Sequence, residues 1–376
     1  MVTTMPRRLL SIRTFVTVML IVGVGGDSLG FNLDGTPWLW AVALGIGLFS
    51  STFGIDLQTM RTSDWRVVAL AVTVGVFIKA AIIGGTLWLT SMWLGSASLV
   101  FLVLGLEMAQ MDPVAMAALA GKRRMSERAD NLARAVSSLD DPVTVLLTIL
   151  LVVGQRVFGF DLGVTITNIG VDNAPSYGVY LWLNIAFMTS MVWIWQLAYR
   201  GGRTWKLVFT LGLIACAIII GASWYWMFGL ALMGIYLRPE ETLYNHVGKA
   251  LDWAARGAFA VTGVVAGSLL FGASGGEKFV SQLLWGLGLG FMAFVSQMIV
   301  GYIMTIGGGY TSQDRWYFAC SHQNGLTATM LGVSTETMPF VIPGIVMTHV
   351  LHGTAMVLLN RRYKPVVSAN AQPQLA

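Results

Sequence analysis

Asp112, followed directly by Pro113, and the consecutive pair Asp140 and Asp141, followed by Pro142, lie in stretches that are otherwise apolar. A charge near the centre of a bilayer costs at least ~2.5–3.5 kcal/mol, so burial, a partner, a cation or a proton must offset it. Carboxylates kept in such places are functional. A proline there withholds a backbone N–H and frees a carbonyl that protein, water or an ion must satisfy. Asp112-Pro113 therefore puts a backbone break beside a carboxylate. Ser321-His322-Gln323-Asn324-Gly325, followed by Thr327 and Thr329, reads as a second break in another apolar stretch.

Carboxylate, hydroxyl and carbonyl oxygens suit a hard monovalent cation such as Na⁺, K⁺ or Li⁺. Asp141, with Asp112 nearby, is the expected ligand pair. When the cation leaves, protons take its place, so the two compete for one site. Asp140 and Asp141 point about 100° apart on a helix, which gives them separate roles. Lys79, alone in mid-span, is a candidate partner for Asp140, and Glu107 is a candidate partner for Lys79. His322, Gln323 and Asn324 either cap the ends at the break or touch the ion.

The elements that must position these groups follow from composition. The chain is 56% hydrophobic and 11% charged, far from an ordinary soluble domain. Hydropathy and polar interruptions give twelve spans, near 11–29, 37–54, 65–93, 97–120, 128–154, 178–199, 205–221, 223–237, 254–273, 281–306, 315–334 and 339–360. The pair around Gly221-Ala222-Ser223 could instead be one helix. On a twelve-span topology, twenty of the 23 Lys and Arg residues fall on the side of the N-terminus; Arg156 and Lys278 fall opposite, and Lys79 lies within a span. The positive-inside rule then puts both termini in the cytoplasm. The fourth and eleventh spans enter from opposite sides. Two interrupted helices so related point to an inverted-repeat transporter with its site at the midplane.

Other classes fit less well. The net charge of +5 is spread over loops and forms no stripe for nucleic acid. Cys216 and Cys320 offer neither a disulfide framework nor metal-ligand spacing, and His349 with His352 has no third ligand nearby. Gly286-Leu287-Gly288-Leu289-Gly290 is a packing surface within an apolar helix, not a phosphate loop. The fourteen Trp residues, several near span ends, read as interface anchors. The basic start before an apolar run lacks a clear cleavage site and reads as a retained first helix. Nothing in the sequence calls for a cofactor.

Gly54-Ile55-Asp56-Leu57, the run MDPVAMAALAGKRRMSERADN and SLDDPVTVLL resemble the core of the monovalent cation:proton antiporter superfamily, in its Asp-Asp branch. The resemblance covers residues 37–155, and more weakly SHQNGLTATMLG in the later half. It implies an all-α polytopic fold of about twelve helices, with inverted repeats and two discontinuous crossing helices. It also implies a homodimer in a lipid bilayer, expected in a prokaryotic inner membrane, that exchanges a monovalent cation, Na⁺ first with K⁺ and Li⁺ as alternatives, for protons and is not an enzyme. By residue, Asp141 matches the cation- and proton-binding Asp, Asp140 the preceding Asp, and Asp112 the Asp of the broken helix.

The implied organisation is a scaffold of residues 1–64 and 156–278, a mobile core of 65–155 and 279–362, and a disordered tail from 363 to 376. The core slides against the scaffold. In one respect the chain departs from the superfamily, which often carries Lys or Arg in the tenth span to pair with the first Asp. Here FMAFVSQMIVGYIMTIG holds only Gln297 among long polar side chains. Either Lys79 takes that part, or Asp140 is neutral, or a second cation neutralises it. Asn324, Gln323 and Thr327 join Lys79, Glu107 and Gln297 as supporting residues. A sodium-coupled symporter or channel on the same plan, and an intramembrane aspartyl hydrolase using Asp112 and Asp141, are the rival readings.

Overall fold

The computed structural model describes residues 37–53, 55, 60–95, 98–112, 124–159, 177–198, 203–224, 226–272 and 279–363. The first predicted span, Gly54 and Asp56 of the acidic segment, Pro113 with the rest of the fourth span, Lys122, Arg123, Lys278 and the tail beyond Tyr363 lie outside the described residues.

The described elements are helical: α1 (Pro37–Phe53), α2 (Thr62–Leu70), α3 (Val76–Trp93), α4 (Val100–Glu107), α5 (Glu127–Phe158), α6 (Tyr177–Ala198) and α7 (Arg203–Ser223). They continue as α8 (Met227–Tyr236), α9 (Glu241–Gly272), α10 (Phe279–Met304), α11 (Ser312–Ala319), α12 (Leu326–Ser334) and α13 (Met338–Arg362). Among the described residues, four continuous stretches are long and apolar enough to cross a membrane by composition: Thr62–Trp93, Trp205–Ser223, Phe279–Gly308 and Met338–Arg362.

Local sequence explains several boundaries. Ser126 caps α5 by accepting the Ala129 N–H, Glu127 and Asp130 favour its positive end, and Gly159 closes it at φ 70°. Residues Ala71–Gly75 form a single π turn that joins α2 to α3 and re-aims everything after it, Lys79 included. The uncertain pair resolves into two helices, α7 and α8.

The ninth span begins far earlier than expected, at Glu241 and not near 254. Its first turns bury Leu243, Val247 and Leu251, one residue in four, while Asn245, His246 and Lys249 between them are polar and exposed. Such a face is amphipathic, and mean hydropathy does not register it.

Two groups of helices pack around different interiors. Leu44, Leu48 and Phe49 of α1 share an apolar cluster with Ile218 of α7, Leu230 of α8 and Val247 of α9. Val76, Ile83, Leu104, Leu289, Ala328 and Val341 make another cluster, joining α3, α4, α10, α12 and α13. Within it, α10 and α13 approach closely: a Cβ on Gly286 or Gly290 would strike the Phe340 and Gly344 backbone. That is the packing use read for the glycine run.

Candidate functional site

Both predicted breaks are present in the backbone. Helix α4 ends at Glu107, leaving Met108 to Asp112 non-helical, and Cys320 to Gly325 separates α11 from α12. The two irregular segments bond to each other. The Asp112 N–H donates to the Gln323 carbonyl at 2.7 Å. The Asn324 side-chain amide donates to the Met108 carbonyl at 3.2 Å and the Gln110 carbonyl at 3.1 Å. Backbone groups freed by each interruption thus find partners in the other, as a buried non-helical segment at membrane depth requires. Asn324 is a cross-brace. Its own N–H donates to the Thr348 hydroxyl of α13 at 3.3 Å, fixing the crossing from a third side.

The carboxylates gather around this crossing. Asp140 and Asp141 are fully buried on α5, and Asp112 is 2% exposed. Asp140 Oδ2 accepts from Lys79 Nζ at 2.9 Å and from the Met111 N–H at 3.2 Å. Asp141 Oδ2 accepts from the Thr327 hydroxyl at 2.6 Å. Adjacent residues therefore face different helices, Asp140 toward α3 and Asp141 toward α12. Asp141 lies within electrostatic reach of Asp112, Asp140 and Lys79. Among the described residues, neither Asp140 Oδ1 nor Asp141 Oδ1 has a hydrogen-bond partner.

Gly325 seats the third carboxylate. A Cβ at this position would overlap Asp112 Oδ2, so only glycine lets the Asp112 side chain lie against the start of α12.

Two supporting residues lie elsewhere than expected. Glu107 does not pair with Lys79: the ammonium is taken by Asp140, and the Glu107 carboxyl group is hydrogen-bonded with the Thr335 and Thr337 hydroxyls just beyond α12. Hydropathy gives depth in the membrane but not the direction around a helix axis, so either acid was within reach on paper. Gln297 is buried on α10 beside Gly301 of the same helix, and no hydrogen bond joins it to the carboxylates. Gln323 takes part through its backbone carbonyl. Thr348 was overlooked, although a threonine in the apolar middle of the last span was the available signal; Thr335 and Thr337 were overlooked too.

A second buried carboxylate centre holds the basic end of the bundle. Asp64, at the start of α2, accepts from Arg128 Nη2 and Tyr310 Oη, both at 2.6 Å, on Oδ1. Its Oδ2 accepts from Arg128 Nε at 3.0 Å and the Arg61 N–H at 2.9 Å. The guanidinium also lies 4.6 Å above the centre of the Tyr310 ring. Burial, and then the adjacent Asp64 carboxylate, push the Tyr310 phenol above its usual range.

The model of the sodium/hydrogen exchanger transmembrane family matches residues 11–337 of this chain. A structure of the sodium proton antiporter MjNhaP1 from Methanocaldococcus jannaschii at pH 8 is similar at 17% identity and a TM-score of 0.56, covering 91% of this chain and 89% of that one. An electron-microscopy structure of the same antiporter is similar at 16% identity and a TM-score of 0.66, covering 95% and 93%. These likenesses show that the fold is shared.

Proposed function

This chain belongs to the sodium/hydrogen exchanger family, and on that premise we propose that it exchanges a monovalent cation for protons by alternating access at Asp141. Na⁺ is the expected cation, with K⁺ and Li⁺ as alternatives. The observation that carries the reading is Asp141 itself. It is fully buried where two broken helices cross, one oxygen is held by Thr327, and the other has no hydrogen-bond partner among the described residues. A buried carboxylate oxygen of this kind takes either a cation or a proton.

Asp112, held against Gly325, supplies further oxygen ligands. Lys79 neutralises Asp140 from α3, filling the part that the tenth span leaves empty with Gln297. The second carboxylate oxygen then remains for Asp141 and its cargo. The sodium proton antiporter named above, which shares the fold, supports the same reading.

Helix α1 packs chiefly on α7, α8 and α9, whereas α10 packs chiefly on α13, and Lys79, Asp140 and Asp141 lie on α3 and α5. This separation supports a scaffold of residues 1–64 and 156–278 against which a core of 65–155 and 279–362 slides, in a homodimer. The distribution of Lys and Arg supports cytoplasmic termini, and the setting we propose is a prokaryotic inner membrane.

The test is proton movement in sealed liposomes carrying the purified protein and an internal pH dye, with Na⁺, K⁺ and Li⁺ added in turn. Cation-dependent proton flux is expected and its selectivity names the ion. Cation flux without proton movement would favour the symporter or channel.

A further inference from the structure

Glu107 is a fully buried carboxyl that the exchange site does not use. It ends α4, and its Oε1 meets the Thr335 hydroxyl at 2.6 Å while its Oε2 meets the Thr337 hydroxyl at 2.7 Å. Thr335 Oγ1 also lies 2.9 Å from the Leu331 carbonyl and 2.8 Å from Thr337 Oγ1. Five oxygens are thus joined by four short contacts, and these are hydrogen-bond lengths.

The proton count decides what the cluster holds. With Glu107 ionised, two hydroxyl protons serve those contacts. If both point at the carboxylate, the contacts from Thr335 Oγ1 to the Leu331 carbonyl and to Thr337 Oγ1 hold no proton, although the Leu331 carbonyl keeps the Thr335 N–H. A proton on Glu107 lets three of the four contacts carry one: the acid donates to Thr335, Thr335 donates to Leu331, and Thr337 donates back to the other acid oxygen. An ionised carboxylate buried without a cation would also cost several kcal/mol. Among the described residues no charged group of α3 or α5, the charged elements packed against α4, pairs with Glu107: Lys79 is bonded to Asp140, and Asp141 to Thr327. Glu336, exposed in the turn itself, is the other acid at hand.

The turn bears the mark of this arrangement. Thr337 is the N-cap residue of α13, yet its hydroxyl makes no cap hydrogen bond and is turned toward Glu107. Glu336 between the two threonines sits at φ 59°, a left-handed conformation that costs a non-glycine residue energy. A forfeited cap and a strained residue persist only where something else holds the turn.

We propose that Glu107 is a second proton-binding site, separate from Asp141, and that its proton latches the end of α4 to the α12–α13 turn. Loss of that proton leaves a buried ionised carboxylate with two hydroxyl donors, which weakens the latch and lets the turn relax at Glu336. This goes beyond the exchange reading and is tested without transport.

The test is infrared difference spectroscopy of the purified full chain, reading the stretch of protonated, water-shielded carboxyls at neutral pH. Wild type, Glu107→Gln, Thr337→Val and Asp141→Asn are compared after each is shown to be monodisperse. The expected result is a band that is missing in Glu107→Gln, shifted in frequency by Thr337→Val and retained in Asp141→Asn. Spectra in which Glu107→Gln removes no band, or in which the band is unmoved by Thr337→Val, would overturn the proposal. Neither outcome depends on whether the protein exchanges cations.

Discussion

Asp64 and Asp140 are both buried aspartates bonded to a cation from a distant helix, yet their surroundings differ in one respect. Every oxygen of Asp64 is used: Arg128 takes both, Tyr310 one and the Arg61 N–H the other. At the centre, Lys79 and the Met111 N–H share one oxygen of Asp140, Thr327 holds one of Asp141, and the remaining two lack hydrogen-bond partners among the described residues. A saturated carboxylate is a fastener. A half-saturated one has capacity for something that comes and goes, and leaving it so is costly unless that something is a cation or a proton.

The largest effect should come from removing the central cation. Lys79→Met leaves Asp140 as an uncompensated buried charge and should cost about 3–5 kcal/mol, seen as a lower melting temperature in detergent. Adding Asp140→Asn should recover most of that loss, since the pair then leaves together. A double variant no more stable than Lys79→Met would show that the pair is not coupled as described.

At the fastener, Arg128→Ala should cost about 2–3 kcal/mol, less than a fully buried pair because the guanidinium is 22% exposed. Its apparent cation affinity should not change. A large loss of affinity would mean that the two centres do not differ in the way proposed.

Thr327→Val should leave the fold intact and weaken cation affinity roughly tenfold, the equivalent of a hydrogen bond to a charged group worth about 1.5 kcal/mol. Unchanged affinity would remove Thr327 from the site.

The smallest effect concerns pH. The Tyr310 phenol is held above its ordinary value by burial and by Asp64, so the neutral phenol is the form the folded state favours. Its contribution is full below the unfolded value of about 10 and is lost as pH climbs through the raised folded value. Tyr310→Phe should therefore lower the melting temperature by a similar amount across neutral pH, converging with wild type only in strong alkali. Exchange at the centre should instead depend on pH, because protons compete there with the cation. A Tyr310→Phe penalty that disappears near neutrality would contradict the fastener.

Much of this was legible in the sequence, for identifiable reasons. Intramembrane charge is so unfavourable that Asp112, Asp140 and Asp141 stand out from any apolar background, and prolines and glycine beside polar residues mark interruptions. What the sequence withheld was direction. Glu107 and Asp140 lie at similar reach from Lys79 on paper, and only the rotation set by the π turn and by helix packing selects Asp140. Asp64, Arg128 and Tyr310 are far apart in the chain, and Arg128 alone reads as one more loop cation. The early start of α9 was hidden for another reason: its buried residues recur every four positions among polar ones, so an average over the window conceals them.

The central claim is that cation and proton compete at Asp141. Calorimetry of Na⁺ binding to the purified protein, repeated in buffers of different ionisation enthalpy, counts the protons released as the cation binds. The account predicts proton release on binding by wild type, and loss of both binding and release in Asp141→Asn. Cation binding that releases no proton, or release that persists in Asp141→Asn, would contradict it.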